Sequence, residues 1–170
     1  MQGIPLNERK RLGALLDDRP QAEVMAMIPQ FSQAETDNFV APPAQIPEAL
    51  GVLMFNMERG VNLPEIQEFL RDCPDIQPFD VILANELDDG CARSGNKNTA
   101  RELAQAFGLN YAWGLEFIEL VNDENAKGFH GNAVFSRWPI RRAGVIRLPE
   151  QYNWYFDRQK RIGGRLAVFA

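Results

Sequence analysis

The chain has 170 residues, 45% of them hydrophobic and 24% charged, with a formal net charge of −5. That length holds one domain with a sizeable core, not two comfortable ones, and the composition is that of an ordinary globular protein without a transmembrane run or an N-terminal signal core, so a cytoplasmic location is expected. Lys and Arg are dispersed on a net negative chain, which excludes a whole-molecule field that draws nucleic acid, while a local basic surface can still meet phosphate.

In chain order, Leu12, Leu15 and Leu16 at helical spacing predict a short amphipathic helix over residues 7–16, with Arg9, Lys10 and Arg11 on its polar side. Pro20 opens a second helix over 22–28 that stops before Pro29. Residues 30–47 are polar and hold Pro42, Pro43 and Pro47, the composition of a linker. Residues 1–48 thus read as a helical N-terminal extension and linker, and 49–170 as the main domain. The apolar run 50–55 predicts its first strand, ending at Asn56. Leu63, Ile66, Phe69 and Leu70 predict a helix over 63–73 that ends before Pro74. Cys73 and Cys91 fit no metal or redox spacing and read as reduced, buried thiols.

Residues 80–89 carry the most information. Val81, Ile82, Leu83 and Ala84 form a short apolar run that leads at once into Asn85, Glu86, Leu87, Asp88 and Asp89, then Gly90. The run reads as a buried strand, and acids at the carboxyl end of such a strand lie where α/β proteins gather ligands. Strand, helix and strand within about thirty residues make a crossover unit whose two strands run parallel, with both polar ends at one edge of the sheet. Asn56 and Glu86 then come within reach of each other, which neither residue implies alone.

Downstream, residues 100–107 predict a helix closed by Gly108, residues 110–120 an alternating strand, 131–137 a second one, and 145–148 a short one. Glu116 and Glu119 differ in strand parity, so only one of them is expected inside. Residues 165–170 form a last apolar run, which reads either as the central strand of a complete small domain or, as is favoured, as one that a C-terminal half or a partner chain completes.

The runs Leu53-Met54-Phe55-Asn56, Ile82-Leu83-Ala84-Asn85-Glu86, Gly131-Asn132-Ala133-Val134-Phe135-Ser136-Arg137 and Arg165-Leu166-Ala167-Val168-Phe169, in this order, resemble the endonuclease/exonuclease/phosphatase superfamily. The resemblance spans residues 50–170 and leaves the first 48 outside. It implies an α/β fold of the deoxyribonuclease-I-like kind, a four-layer sandwich of which this chain carries the first half. It also implies hydrolysis of phosphoesters with Mg²⁺ or Mn²⁺, Glu86 as the metal ligand, and Asn56 beside the metal or phosphate. Asn85 stands where that family usually has Gln. The family's downstream histidine strand end, Asp-x-Asn turn and terminal Asp-His pair have no counterpart here.

The residues themselves suit such chemistry in part. Mg²⁺ takes oxygen ligands and keeps several waters, so one carboxylate (Glu86) with a neutral carbonyl (Asn56) is a plausible but weak pair. His130 has the right ionisation class for a general base but no identifiable acid partner in the sequence. His130, Asn132 and Arg165 are the candidate substrate-binding residues; Asn132 qualifies because a carboxamide inside an apolar strand must find a partner. Asp88 and Asp89 before Gly90 either extend the cation site or make a turn, the commoner fate of two acids before glycine. Arg93, Lys97 and Asn98 precede a helix and offer either phosphate contacts or a solvated helix start. Residues 151–165 interleave Tyr152, Trp154, Tyr155 and Phe156 with Arg158, Lys160, Arg161 and Arg165, a composition that stacks on ring substrates or fastens a loop to its own core. Gly163 and Gly164 read as a hinge within it. Two functions follow: a divalent-metal-dependent phosphoester hydrolase whose substrate is a nucleic acid, sugar phosphate or phospholipid head group, or an inactive partner-binding module on the same fold. With only half of the machinery, little activity is expected from residues 1–170 alone. A nucleotide-binding α/β domain is disfavoured because no glycine-rich loop joins strand to helix.

Overall fold

The computed structural model describes residues 1–150, 152–157 and 159–170. Its strands are β1 (Ala34–Asp37), β2 (Val52–Arg59), β3 (Val81–Asp89), β4 (Asn110–Glu119), β5 (Phe129–Ser136), β6 (Gly144–Arg147), β7 (Arg161–Gly163) and β8 (Leu166–Phe169). Its α-helices are α1 (Leu6–Ala14), α2 (Gln21–Ala26), α3 (Leu63–Asp72), α4 (Thr99–Phe107) and the short α5 (Trp154–Asp157).

The result is a mixed α/β fold. One sheet has the order β1-β4-β5-β3-β2, with β7 joined to the far part of β4; only β2 and β3 run parallel. The parallel pair is the crossover unit expected from the sequence, with α3 as its connection. All ten residues of β4 are buried, because the strand is covered on both faces and paired along both edges. One face of the sheet, carrying Ile82, Ala84, Tyr111, Trp113 and Phe135, packs into the main core with Leu103 and Ala104 of α4. Phe69 of α3 stacks on Phe55 of β2 at 5.8 Å between ring centres. Asn98 caps α4 by accepting a hydrogen bond from the Arg101 amide, and Gly108 ends it in the left-handed region at φ 60°.

The opposite face is only partly covered. β6 and β8 form a separate antiparallel pair lying over β4 and β5, seated on Gly114, where a Cβ would come within 2.6 Å of Val145 and 2.9 Å of Val168. Beyond this pair, Val52 and Met54 are 57% and 71% exposed, with Val81, Leu83 and Val134 partly so.

The sequence expectations for residues 1–48 are revised here. Residues 30–47 are not simply a linker: a 3-10 turn at Pro29–Ser32 leads into β1, which pairs antiparallel with β4. Its side chains show no apolar alternation because its contribution is backbone pairing at an edge. Residues on both sides of position 48 also share one core, since Ile4, Leu12, Leu16, Val24, Ile28 and Phe31 belong to the same buried cluster as the sheet. Arg9 sits on the polar side of α1 by periodicity, yet it is buried and donates to the carbonyls of Lys127 (2.9 Å) and Asn125 (2.6 Å).

Candidate functional site

At one level of the sheet, three neighbouring strand pairs break register together. On β2 and β3, Asn56 lies opposite Asn85, but the next pair is Arg59 with Leu87. Between β3 and β5, Ala84 pairs with Ala133 and Leu87 with Gly131, so Asn85 and Glu86 together oppose Asn132. Between β4 and β5, Leu115 pairs with Gly131 and Phe117 with His130, so Glu116 is the additional residue. Bulges of this kind leave a residue out of the ladder and re-aim its side chain. Here two carboxylates, Glu86 and Glu116, are the bulge residues on either side of β5.

Glu86 is half-buried with φ 59°, and Glu58 and Arg59 on β2 also have positive φ, 46° and 67°. Non-glycine residues in that region store strain of about 1–3 kcal/mol each. Two asparagines hold the strained turns: the Glu86 amide donates to Asn132 Oδ1 (3.1 Å), and the Glu58 amide donates to Asn56 Oδ1 (2.9 Å). Among the described residues the Glu86 carboxylate has no hydrogen-bond or ion-pair partner. Asn56 and Asn85 are exposed at the same rim, as the parallel crossover requires.

Behind this rim lies a buried charged cluster. Asp88 is fully buried; it accepts two hydrogen bonds from Arg93 (2.7 and 2.9 Å), one from Ser94 Oγ (3.2 Å) and one from His130 Nδ1 (2.9 Å). Burial alone would push the Asp88 carboxyl up, but the hydrogen bonds from Arg93 and His130, with their charges, hold it below the ordinary aspartate range. Burial works against the Arg93 charge too, and the Asp88 and Glu119 carboxylates overcome it, so Arg93 is held above its ordinary value. His130 Nε2 faces Glu116 at 3.9 Å, and Glu116 accepts from Arg165 at 2.8 Å. Glu119 meets Arg93 at 3.3 Å and Arg161 at 3.7 Å. Arg161 lies 4.5 Å from the Phe117 ring centre, and Trp154 packs on the same ring at 4.8 Å.

Of the sequence-predicted residues, Asn56, Glu86 and Asn132 meet at the rim. His130 is 4% exposed and belongs to β5; it stands behind the rim, and its acid partner is Asp88. Asp88 and Asp89 form no turn, since β3 continues through both and both are buried. Glu116 and Glu119 are both buried, as is every residue of β4, because both faces of that strand are covered; the bulge at Glu116 also shifts the parity between them. Arg93 is committed to Asp88. Arg165 is half-exposed while paired with Glu116, and Arg137 closes a strand-end ion pair with Asp80 at 2.8 Å. Trp154 is buried, so that aromatic fastens its loop to the core; Arg158 lies outside the described residues. Gly163 is no hinge: at φ 133° it lies against the Glu116 carbonyl, which a Cβ would approach to 2.2 Å. Cys73 and Cys91 are free; Cys73 is only half-buried, and burial pushes the Cys91 thiol up.

No group of three or more His, Cys, Asp and Glu side chains among the described residues is gathered to hold a metal ion. No helix of the described residues is long and apolar enough to cross a membrane. No family model, curated protein or solved structure matches the chain.

Proposed function

We propose that the rim of β2, β3 and β5 is the first half of a divalent-metal-dependent phosphoester hydrolase site on a deoxyribonuclease-I-like fold. The observation that carries this reading is the parallel register of Asn56 with Asn85, which sets Asn56 beside the strained Glu86 and its unpartnered carboxylate. The Glu86 carboxylate is a hard oxygen donor that suits Mg²⁺ or Mn²⁺, which bind through one or two carboxylates and otherwise hold water and phosphate oxygens. When bound, the cation would supply positive charge at the phosphoryl oxygens. Glu86 is its ligand, Asn56 completes the rim, and Asn132 sets the position of Glu86 through the backbone. His130 stands buried behind the rim between Asp88 and Glu116, with no hydrogen bond to the rim residues among the described residues. Arg165, half-exposed and paired with Glu116, is the cation this reading assigns to an anionic substrate.

Among the described residues the rim holds no general base, so turnover by residues 1–170 is expected to be slight. The discriminating experiment measures Mn²⁺ binding and Mg²⁺-dependent hydrolysis of bis(p-nitrophenyl) phosphate, with Glu86→Gln as the control. Metal binding lost in Glu86→Gln supports the reading. An unchanged Mn²⁺ affinity in that variant removes it.

The exposed apolar face at Val52 and Met54 favours a second reading, a module on the same fold that binds a partner and does no chemistry. That reading predicts no metal dependence of any kind at Glu86.

A further inference from the structure

Three carboxamides lie side by side across the rim. Asn56 and Asn85 are register partners on β2 and β3, and paired residues of adjacent strands share a face. Asn132 on β5 lies opposite the Asn85–Glu86 bulge and bonds to it directly. Their side-chain orientation is set by what they already hold. Asn56 Oδ1 accepts from the Glu58 amide and Asn132 Oδ1 accepts from the Glu86 amide, so in both residues the oxygen is turned to the backbone and the NH₂ group is left outward. Among the described residues neither NH₂ group has a protein partner, and Asn85 makes no side-chain hydrogen bond.

We infer that Asn56, Asn85 and Asn132 form a row of neutral N–H donors that receives the non-bridging oxygens of a phosphoryl group. The inference rests on the proposed function and extends it by assigning the phosphate contact to three amides, of which Asn85 is new. Phosphate oxygens are acceptors only, and a donor row gives each of them a partner at fixed spacing along the rim. Neutral donors also suit a site beside a free carboxylate. A cation held by Glu86 offsets the repulsion between that carboxylate and the phosphate, and the amides then fix orientation without adding charge.

The test uses the full chain and follows side-chain NH₂ signals by ¹⁵N NMR during titration with dimethyl phosphate and, separately, inorganic phosphate, each with Mg²⁺ present. Asn85→Leu is the informative variant, because Asn85 is exposed and its removal disturbs no internal hydrogen bond. The signals of all three asparagines are expected to move, and Asn85→Leu is expected to weaken dimethyl phosphate binding about tenfold. A preference for dimethyl phosphate over inorganic phosphate identifies a diester, and the reverse a monoester or the free ion; either supports the row. Amide signals that stay still, or an affinity unaltered in Asn85→Leu, overturn it. Mn²⁺ broadening around Glu86, and its loss in Glu86→Gln, reports on the metal separately. Broadening without amide shifts defeats the donor row alone, while amide shifts without broadening defeat the metal-dependent hydrolase and leave the row in place.

Discussion

Asp88 is the residue on which the buried half of the site depends. Its carboxylate meets a bidentate Arg93, a hydroxyl and an imidazole with no exposure of its own, so removing it strands two polar groups that burial has already stripped of water. Asp88→Ala is expected to lower stability by about 3 kcal/mol, the lower end for a broken buried pair because Arg93 keeps partial contact with solvent. Urea unfolding should show the loss as a shifted midpoint with an unchanged slope. The same carboxyl sets a pH dependence. Its folded-state ionisation lies below the ordinary aspartate range, so its stabilisation is complete above that range and is lost as pH falls through the lower folded value. Wild type should therefore lose stability on acidification below about pH 4 more steeply than Asp88→Asn, measured by urea midpoints along a pH series. Nothing in the sequence near His130 names Asp88 as its partner, since the two are brought together by strand pairing across a long separation.

At the scale of the strand, the bulges decide what is exposed and what is not. They were the least legible feature, yet the sequence carries their mark. Ile82 and Ala84 are two apart, but the next inward residue is Leu87, three further on; Tyr111, Trp113 and Leu115 keep a period of two, and Ile118 again lies three further on. A step of three inside a period of two is the spacing of a bulge. Strict alternation instead placed Glu116 and Glu119 on opposite faces. The crossover, the four longer strands and the helix ending at Gly108 were legible because apolar periodicity and turn residues fix them locally. The strain at Glu86 gives a direct test. A glycine tolerates positive φ, so Glu86→Gly should raise stability by about 0.5–1 kcal/mol, the relief of left-handed strain less the backbone entropy that glycine adds, while removing any Mn²⁺ affinity. Thermal unfolding with and without Mn²⁺ measures both effects; a destabilised variant would falsify the strain assignment. Gly131 marks the opposite case. A Cβ there would lie 2.0 Å from the Gly114 carbonyl and 2.7 Å from the Trp113 ring, so Gly131→Ala should lose about 3 kcal/mol or more by the same measurement.

Over the whole molecule, the sheet has one covered face and one that is partly exposed. The core-side face is sealed by α3, α4 and the N-terminal helices, and the contribution of residues 1–48 to it was hidden from a reading that grouped residues by local composition. Their buried leucines look like the stripe of a separate helix until the tertiary fold shows which surface they meet. The other face carries β6 and β8 over β4 and β5 and then stops, leaving Val52, Met54, Val81, Leu83 and Val134 as adjoining positions in register across three strands. Isolated apolar residues at a surface are ordinary, but an adjoining set on a flat sheet is a patch that an apolar dye can occupy. The folded chain is therefore expected to bind anilinonaphthalene sulfonate. Met54→Lys, at the most exposed of these positions, should reduce the fluorescence substantially while shifting stability by no more than ~0.5 kcal/mol. If Met54 were instead packed, the same change would bury a charge and cost several times that amount, so dye binding and the urea midpoint together separate an open face from a covered one.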